Sequence, residues 1–479
     1  MEARCQPFPT QRHVIRSGLA AFSLSRLPPT LLHAKKQGQN SFAAPRAFCE
    51  GRFARNPLLT LGVLGLVAVP HLTGSSCVSS PVPGIALRAT MSTSAAEDKP
   101  LTNLLETSKE ACESIGAMVR RFYLAINSET STLKADKSVF TIADGIVQEL
   151  LAEYLYAGSG KFREIVGEED SSNVNIKQRP YSVDKLSVPQ EFEDLIDTTR
   201  DAVVALAARI PEGKFRDLTI FIDPIDGTRE FSTGKGTQCS ICIGFAGADG
   251  IPVAGLVYRP IPTDACEEVT ALTGDSSTIS PRTTLCSWAA GASSEGCVMG
   301  NLNVAATPSS DGFLTTNGAI STFTELLMKE LKYERVPSGG AGNKMMMLLE
   351  GKGAVYIQDR GVSRWDTCGA QAVIEAYGGK LCRLDKFVND KALTSYTYNK
   401  GENNADFVPG LSFLTPFNAQ DSKSVVKGAT PMLADSVSQV KSYANLNGLF
   451  AVSATGLPQL ETIHSAIIAA KQESAPSYD

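Results

Sequence analysis

Apolar residues recur at helical spacing from Leu101 to Phe122 and again from Ile142 to Leu155, and Phe192 to Ile210 also reads as helical. Between the second and third of these segments, Ile165 and Val166 form a short apolar run. The run Leu218 to Ile222 is continuously apolar and is followed by Pro224, which predicts a buried strand that stops at the proline. CSICIGFA (239–246) and VAGLVYRP (253–260) follow as two more strands, joined across Asp249-Gly250 as a hairpin. Residues 262–300 are rich in Ser, Thr and Gly and read as an extended loop. Thr322 to Leu331 has a helical pattern, and a second helix is expected to begin near Asn343, after the glycines of GGAGNK. Ala370, Val373, Ile374 and Tyr377 mark a buried helix that opens at Trp365-Asp366 and ends at Gly378-Gly379. Residues 385–430 read as irregular, Gly448 to Ser453 as a late strand, and Gln459 to Lys471 as a closing helix.

Composition changes this picture in one place. Of 45 Lys and Arg, ten fall in residues 1–95, together with only two of the 50 acids, Glu2 and Glu50. The remaining 35 cations and 48 acids leave the body near −13, although the whole chain carries −5. So acidic a body is a poor nonspecific binder of nucleic acid. The Arg- and Ser-rich first 95 residues have the character of an organelle transit segment, for a plastid or mitochondrion. Leu58 to Val69, apolar over 12 residues, is shorter than the roughly 20 that span a bilayer, so no stable membrane insertion is expected. A start at Met91 would yield a cytoplasmic form. The expected division is 1–95 as extension, 96–305 as an N-terminal α+β part with the ligand loops, and 306–479 as a C-terminal α/β part. Oligomeric state is not legible.

Histidine excludes several chemistries. Three of the four, His13, His33 and His71, lie in the extension, and His464 stands alone in the closing helix, where it reads as structural. Nucleophilic triads and His-zinc sites therefore have little to draw on. The eleven cysteines form no cluster of four, and the single C-x-x-C, Cys239 and Cys242, falls on a predicted strand. Residues three apart on a strand face opposite sides, so these read as buried thiols rather than a metal or redox pair.

Carboxylates remain. Asp223 and Asp226 leave the buried strand three residues apart with no cation between them, and such a pair repels in an apolar setting unless a divalent ion separates it. Gly227 and Thr228 follow, with backbone N–H groups suited to an anion if a helix opens there. An Asx-type turn uses the same residues without chemistry. Asp144 and Asp366 each stand where a predicted helix starts and read equally as caps. Glu168, Glu169 and Asp170 read equally as a solvated acidic turn.

Taken together, T-I-A-D (141–144), G-E-E-D (167–170), D-P-I-D-G-T (223–228) and W-D (365–366) resemble, in order, the boxes of the inositol monophosphatase superfamily of lithium-sensitive, magnesium-dependent phosphatases. That resemblance covers about residues 101–471. It implies an α/β (α+β) fold, a layered α/β/α/β/α sandwich, and two or three Mg²⁺ ions. By resemblance Glu168, Asp223 and the Ile225 carbonyl would hold one ion and Asp223, Asp226 and Asp366 another, with a third, weaker ion near Glu168. Thr228, hydrogen-bonded to Asp144, would orient the attacking water. Gly227 and Thr228 would hold the phosphoryl group, with Gly340, Lys344 and Asp366 toward the rest of a small phosphorylated substrate. Lys344 is placed by the resemblance to meet a second phosphate. GGAGNK and WDTC are most similar to the bisphosphate nucleotidase branch, which implies removal of the 3′-phosphate of 3′-phosphoadenosine 5′-phosphate. Inositol polyphosphate 1-phosphatase and inositol monophosphatase activities, or a non-catalytic phosphonucleotide sensor, are the alternatives. One departure is plain: the S-R-S-H box of that branch stands here as Thr315-Thr316-Asn317-Gly318.

Overall fold

The computed structural model describes residues 98–127, 137–158, 160–169, 173–273, 286–307, 311–359, 362–398, 444–445 and 447–476. The extension 1–95, its run Leu58 to Val69, Met91 and Asp170 lie outside them. Among the described residues no helix is long and apolar enough to cross a membrane.

Helix α1 (Pro100–Asn127) and helix α2 (Lys137–Glu149) come first, and α2 passes into a π-helical turn at Leu150–Leu155. Strand β1 (Phe162–Gly167) leads to a small antiparallel sheet of β2 (Val174–Asn175), β3 (Ser182–Val183) and β4 (Leu186–Ser187), and then to α3 (Gln190–Ala207). The central strand β5 (Phe215–Asp226) pairs in parallel with β1 and antiparallel with β6 (Ser240–Ala246). The short α4 (Thr228–Phe231) separates β5 from β6. The hairpin to β7 (Pro252–Tyr258) forms across Asp249-Gly250 as expected, with Gly250 at φ 80.

Strand β5 does not stop at Pro224. It runs on to Asp226, with its register to β6 shifted between Asp223 and Asp226. Proline lacks the N–H a regular ladder needs, and a bulge is where a strand tolerates that loss.

The expected loop at 262–300 contains α5 (Cys266–Thr273) and two further strands of the first sheet, β8 (Trp288–Ala292) and β9 (Cys297–Gly300). The sequence of β8, WAAGA, carries no β-branched residues, so periodicity misses it. Its small side chains are explained by what lies over it. Gly244, Gly255 and Gly291 are paired in a row across β6, β7 and β8. A Cβ on Gly255 would come within 2.2 Å of the Gly369 carbonyl oxygen, and one on Gly291 within 2.3 Å of the Ala376 Cβ. The glycine row is thus a trough in which helix backbone rests on sheet backbone.

Beyond it lie β10 (Gly312–Thr315), α6 (Thr322–Leu331), β11 (Glu334–Pro337), α7 (Ala341–Leu349), β12 (Val355–Gln358) and β13 (Val362–Ser363). The helix that occupies the trough, α8 (Arg364–Ala376), comes next. Strand β14 (Lys380–Arg383) follows, α9 (Leu384–Asp390) gives order to the start of the stretch expected to be irregular, and residues 399–443 are outside the described ones. β15 (Ala444–Asn445) pairs with β13, while β16 (Leu449–Val452) precedes α10 (Leu460–Glu473). The second sheet has the order β11-β10-β12-β16-β14.

Three apolar cores define the layers. Alternation on β5 and β6 sends Ile220, Ile222, Ile241 and Ile243 to a core with α1, α2 and α3, and Phe221 and Cys242 to a second core with α7 and α8. The third core joins the other face of the second sheet to α6, α9 and α10. The result is an α/β/α/β/α sandwich. By parity Asp223 shares the face of Phe221, toward the middle helices.

Candidate active site

The acidic residues singled out in the sequence come from separate elements: Asp144 from α2, Glu168 from the end of β1, Asp223 and Asp226 from β5, and Asp366 from α8. Glu168 stands one residue past β1, and its N–H donates to the Ile222 carbonyl at 3.2 Å. The turn it occupies is held by Gln148 of α2, whose side chain receives the Glu169 N–H at 2.8 Å and donates to the Glu169 carbonyl. Sequence reasoning passed over Gln148, a polar residue that is 3% exposed in an otherwise apolar helix.

Asp226 is fixed by the opposite half of the molecule. Its Oδ1 accepts the Ala341 N–H at 2.9 Å, and its Oδ2 accepts the Gly342 N–H at 2.7 Å and the Ser240 hydroxyl at 3.2 Å. The two N–H donors, Ala341 and Gly342, lie in the first turn of α7, where N–H groups lack helical partners and favour an anion; the hydroxyl comes from β6. The approach requires Gly340, which has φ 64 and whose Cβ would stand 2.7 Å from the Gln238 carbonyl oxygen and 2.9 Å from Asp226 Oδ2. Asp366 lies in the first turn of α8, where its Oδ2 accepts the Ser363 N–H at 3.2 Å in a capping box. Its capping role and its place in the acidic cluster are therefore compatible.

Burial raises the carboxyls of Asp223, Glu168 and Asp226 above the usual carboxylate range, and their mutual charge adds to this for Asp223 and Glu168. Asp366 is pushed from 3.8 to about 7, by burial and then by the Asp226 charge. The charges of Glu168, Asp226 and Asp366 all push the buried Asp223 carboxyl further up. Among the described residues no three His, Cys, Asp or Glu side chains stand close enough to cage a cation unaided. The donor set nevertheless fits a hard divalent ion: it is made only of oxygens, and Asp223 Oδ1 is buried without a hydrogen-bond partner. Mg²⁺ in particular keeps several waters and needs only one or two carboxylates.

The same shifts predict a pH dependence. A carboxyl raised on folding binds more protons in the native than in the unfolded state, so stability falls as pH rises between the two values. For Asp366 that window runs from 3.8 to about 7. Metal-stripped protein should therefore melt at a lower temperature at pH 8 than at pH 5.5, and added Mg²⁺ should narrow the difference. Melting curves in EDTA that rise over this interval would contradict it.

Three expectations are corrected. Asp144 is not a helix-start residue: α2 begins at Lys137, and Asp144 is its eighth residue. The polar start of that helix hid its true beginning. Asp144 is buried, its Oδ1 has no partner, and its carboxyl is raised well up by burial and by Glu169 and Glu168. The Thr228 hydroxyl donates to the Ile225 carbonyl at 3.4 Å rather than to Asp144. Lys344, expected to face a second phosphate, is 4% exposed, and its ammonium donates to the Gly340 carbonyl at 2.6 Å and the Ser338 carbonyl at 3.4 Å. Its charge lowers the Asp226 and Asp366 carboxyls, which makes it an internal counter-ion of the acidic cluster.

Gly227 has φ 98, and its Cβ would lie 3.0 Å from the Gln238 carbonyl oxygen. That conformation favours glycine and turns β5 into α4. The buried thiols lie close by as the sequence suggested: Cys239 donates to the Gly227 carbonyl at 3.2 Å, and Cys242 lies 3.9 Å from Asp226 Oδ2. His464 packs its ring edge-on against Phe387 at 5.4 Å in the third core, a structural role.

Residues 100–406 match the model of the Inositol monophosphatase family. The chain belongs to that family. It is 29% identical over 223 residues to the 3′(2′),5′-bisphosphate nucleotidase 1 of Dictyostelium discoideum, a match covering 46% of this chain and 65% of that protein. It is 24% identical over 291 residues to the human protein of the same name, covering 60% of this chain and 85% of that one. Mouse inositol polyphosphate 1-phosphatase is 25% identical over 296 residues, 50% of this chain and 70% of that protein. Members of the family are generally Mg²⁺-dependent.

Proposed function

We propose that the protein is a Mg²⁺-dependent phosphomonoesterase that removes the 3′-phosphate of 3′-phosphoadenosine 5′-phosphate, giving AMP and phosphate. The observation that carries the reading is the convergence of Glu168, Asp223, Asp226 and Asp366 beside the Gly227–Thr228 turn. The nucleotide is favoured because two of the relatives described above are bisphosphate nucleotidases. The inositol polyphosphate 1-phosphatase relative makes inositol 1,4-bisphosphate the competing substrate.

Glu168, Asp223, the Ile225 carbonyl, Asp226 and Asp366 are the groups to hold Mg²⁺. Divalent ions so held supply Lewis-acid stabilisation and lower the pKa of the attacking water. The chain's own residues do the positioning. The Gly227 and Thr228 N–H groups, at the start of α4, receive phosphoryl oxygens. Asp226, held by α7, keeps its orientation without a ligand. Thr228 and Asp144 orient and deprotonate the attacking water, which requires the Thr228 hydroxyl to leave the 3.4 Å contact with Ile225.

Thr228→Val keeps the branched shape and removes the hydroxyl. kcat should fall by about 10²- to 10⁴-fold, the range for proton-transfer assistance, with KM nearly constant. A rise in KM alone would reduce Thr228 to a phosphate ligand. The substrate assignment is tested by phosphate release from 3′-phosphoadenosine 5′-phosphate, inositol 1,4-bisphosphate and inositol 1-phosphate under identical Mg²⁺. A higher kcat/KM for the inositol bisphosphate would replace the nucleotidase reading.

A further inference from the structure

Beside the acidic cluster lies a cavity of about 380 Å³, lined among others by Arg229, Lys235, Asn317 and Arg335. Its volume is in the range of small-molecule sites. Among the described residues none of the three cations forms an ion pair. Arg335 donates only to neutral acceptors: the Thr315 hydroxyl at 2.9 Å, the Thr316 carbonyl at 2.9 Å and the Gly318 carbonyl at 2.6 Å. The one acid in the lining, Glu230, is buried, and its Oε1 accepts the Asn317 amide at 2.8 Å. Three positive charges against one negative leave the lining with an excess of two, which suits a phosphate dianion.

The cavity is also tied to the catalytic turn. Arg229 and Glu230 follow Thr228 directly on α4. The Asn317 amide also donates to Gln238 Oε1 at 2.7 Å, and the same oxygen accepts the Gly339 N–H at 2.7 Å, next to the loop that holds Asp226. Lys344 is turned inward and Gly318 has no side chain to offer, so neither supplies a cation for a second phosphate.

We propose that this cavity is an anion subsite for the distal phosphate of a bisphosphorylated substrate, with Lys235 and Arg335 as its principal cations. The proposal rests on the phosphomonoesterase reading above and assigns the specificity for two phosphates to these residues. A charged hydrogen bond lost at either residue should cost about ten- to a hundredfold in affinity for that phosphate.

The test uses Lys235→Gln and Arg335→Gln in the full chain. Arg335 also braces the 315–318 loop, so Lys235→Gln, at a side chain that makes no hydrogen bond among the described residues, guards against misfolding as the explanation. The ratio of kcat/KM for bisphosphate over monophosphate is measured with two pairs: 3′-phosphoadenosine 5′-phosphate with adenosine 3′-monophosphate, and inositol 1,4-bisphosphate with inositol 1-phosphate. In the pair that the wild type cleaves, the ratio should drop at least tenfold in each variant. In parallel, calorimetry of adenosine 5′-monophosphate with metal-stripped protein reads the subsite without turnover, and the variants should bind at least tenfold more weakly. If the wild type cleaves neither pair, the phosphatase reading falls and calorimetry alone decides the subsite. An unmoved ratio in Lys235→Gln overturns the subsite, as does unmoved nucleotide binding or a wild type that binds no adenosine 5′-monophosphate in the absence of turnover.

Discussion

Asp226→Asn is expected to abolish measurable turnover and, in addition, to destabilise the protein. The first effect follows from removing a charged oxygen ligand, which takes several kcal/mol from Lewis-acid stabilisation of the reaction. The second follows from the hydrogen bonds. Both Asp226 oxygens accept backbone N–H groups, from Ala341 and Gly342. An amide has one accepting oxygen, so its NH₂ must face one of those N–H donors, at a cost of about 1–3 kcal/mol. From sequence alone the change looks harmless to the fold and even relieves repulsion; the contacts with α7 reverse that expectation. Phosphate release and thermal melting on the same preparation check both halves. Activity near that of the unmodified protein at saturating Mg²⁺ would remove Asp226 from the site.

Gly255→Val should be the most damaging change distant from the acidic cluster. Its Cβ would lie 2.2 Å from the Gly369 carbonyl oxygen and 2.8 Å from the Gly369 Cα. The obstacle is backbone, which cannot swing aside as a side chain can. Helix α8 must then lift from the first sheet, at about 3 kcal/mol or more, the upper part of the range for overpacked cores. Because α8 also carries Asp366, activity should fall with stability. Gly318→Ala is the control: its nearest neighbour would be the Thr316 hydroxyl at 3.8 Å, and its melting temperature should be almost unmoved. Equal melting of the two variants would show that the seam tolerates separation.

The long amphipathic helices were legible because periodicity and burial coincide, and Thr322 to Leu331 agrees residue for residue with α6. The acid boxes were legible as residue types in order. Position within the fold was harder to read. Strand β8 is hidden because Ala and Gly are selected by the backbone of α8 above them, a contact that lies far away in sequence. Pro224 reads as a terminator, although a register shift accommodates it inside β5. Lys344 reads, by the resemblance, as a contact to a second phosphate, because its burial is justified only by Asp226 and Asp366, which belong to other elements. The basic cavity drew no notice because Arg229 and Lys235, which follow the D-P-I-D-G-T box, are joined only in the fold by Arg335 of β11.

The thiols described beside Asp226 have a practical consequence. Of the free cysteines among the described residues, Cys112, Cys239, Cys242, Cys286, Cys297, Cys368 and Cys382 are buried and Cys266 is partly exposed. Burial also holds the Cys239 and Cys242 thiols protonated, and only the thiolate reacts with an alkylating reagent. Labelling at Cys239 therefore requires the Gly227–Thr228 turn to open, whereas labelling at Cys382 requires the second sheet to do so. With those two sites read separately by mass spectrometry, the chain carries its own clocks for local unfolding at the two halves.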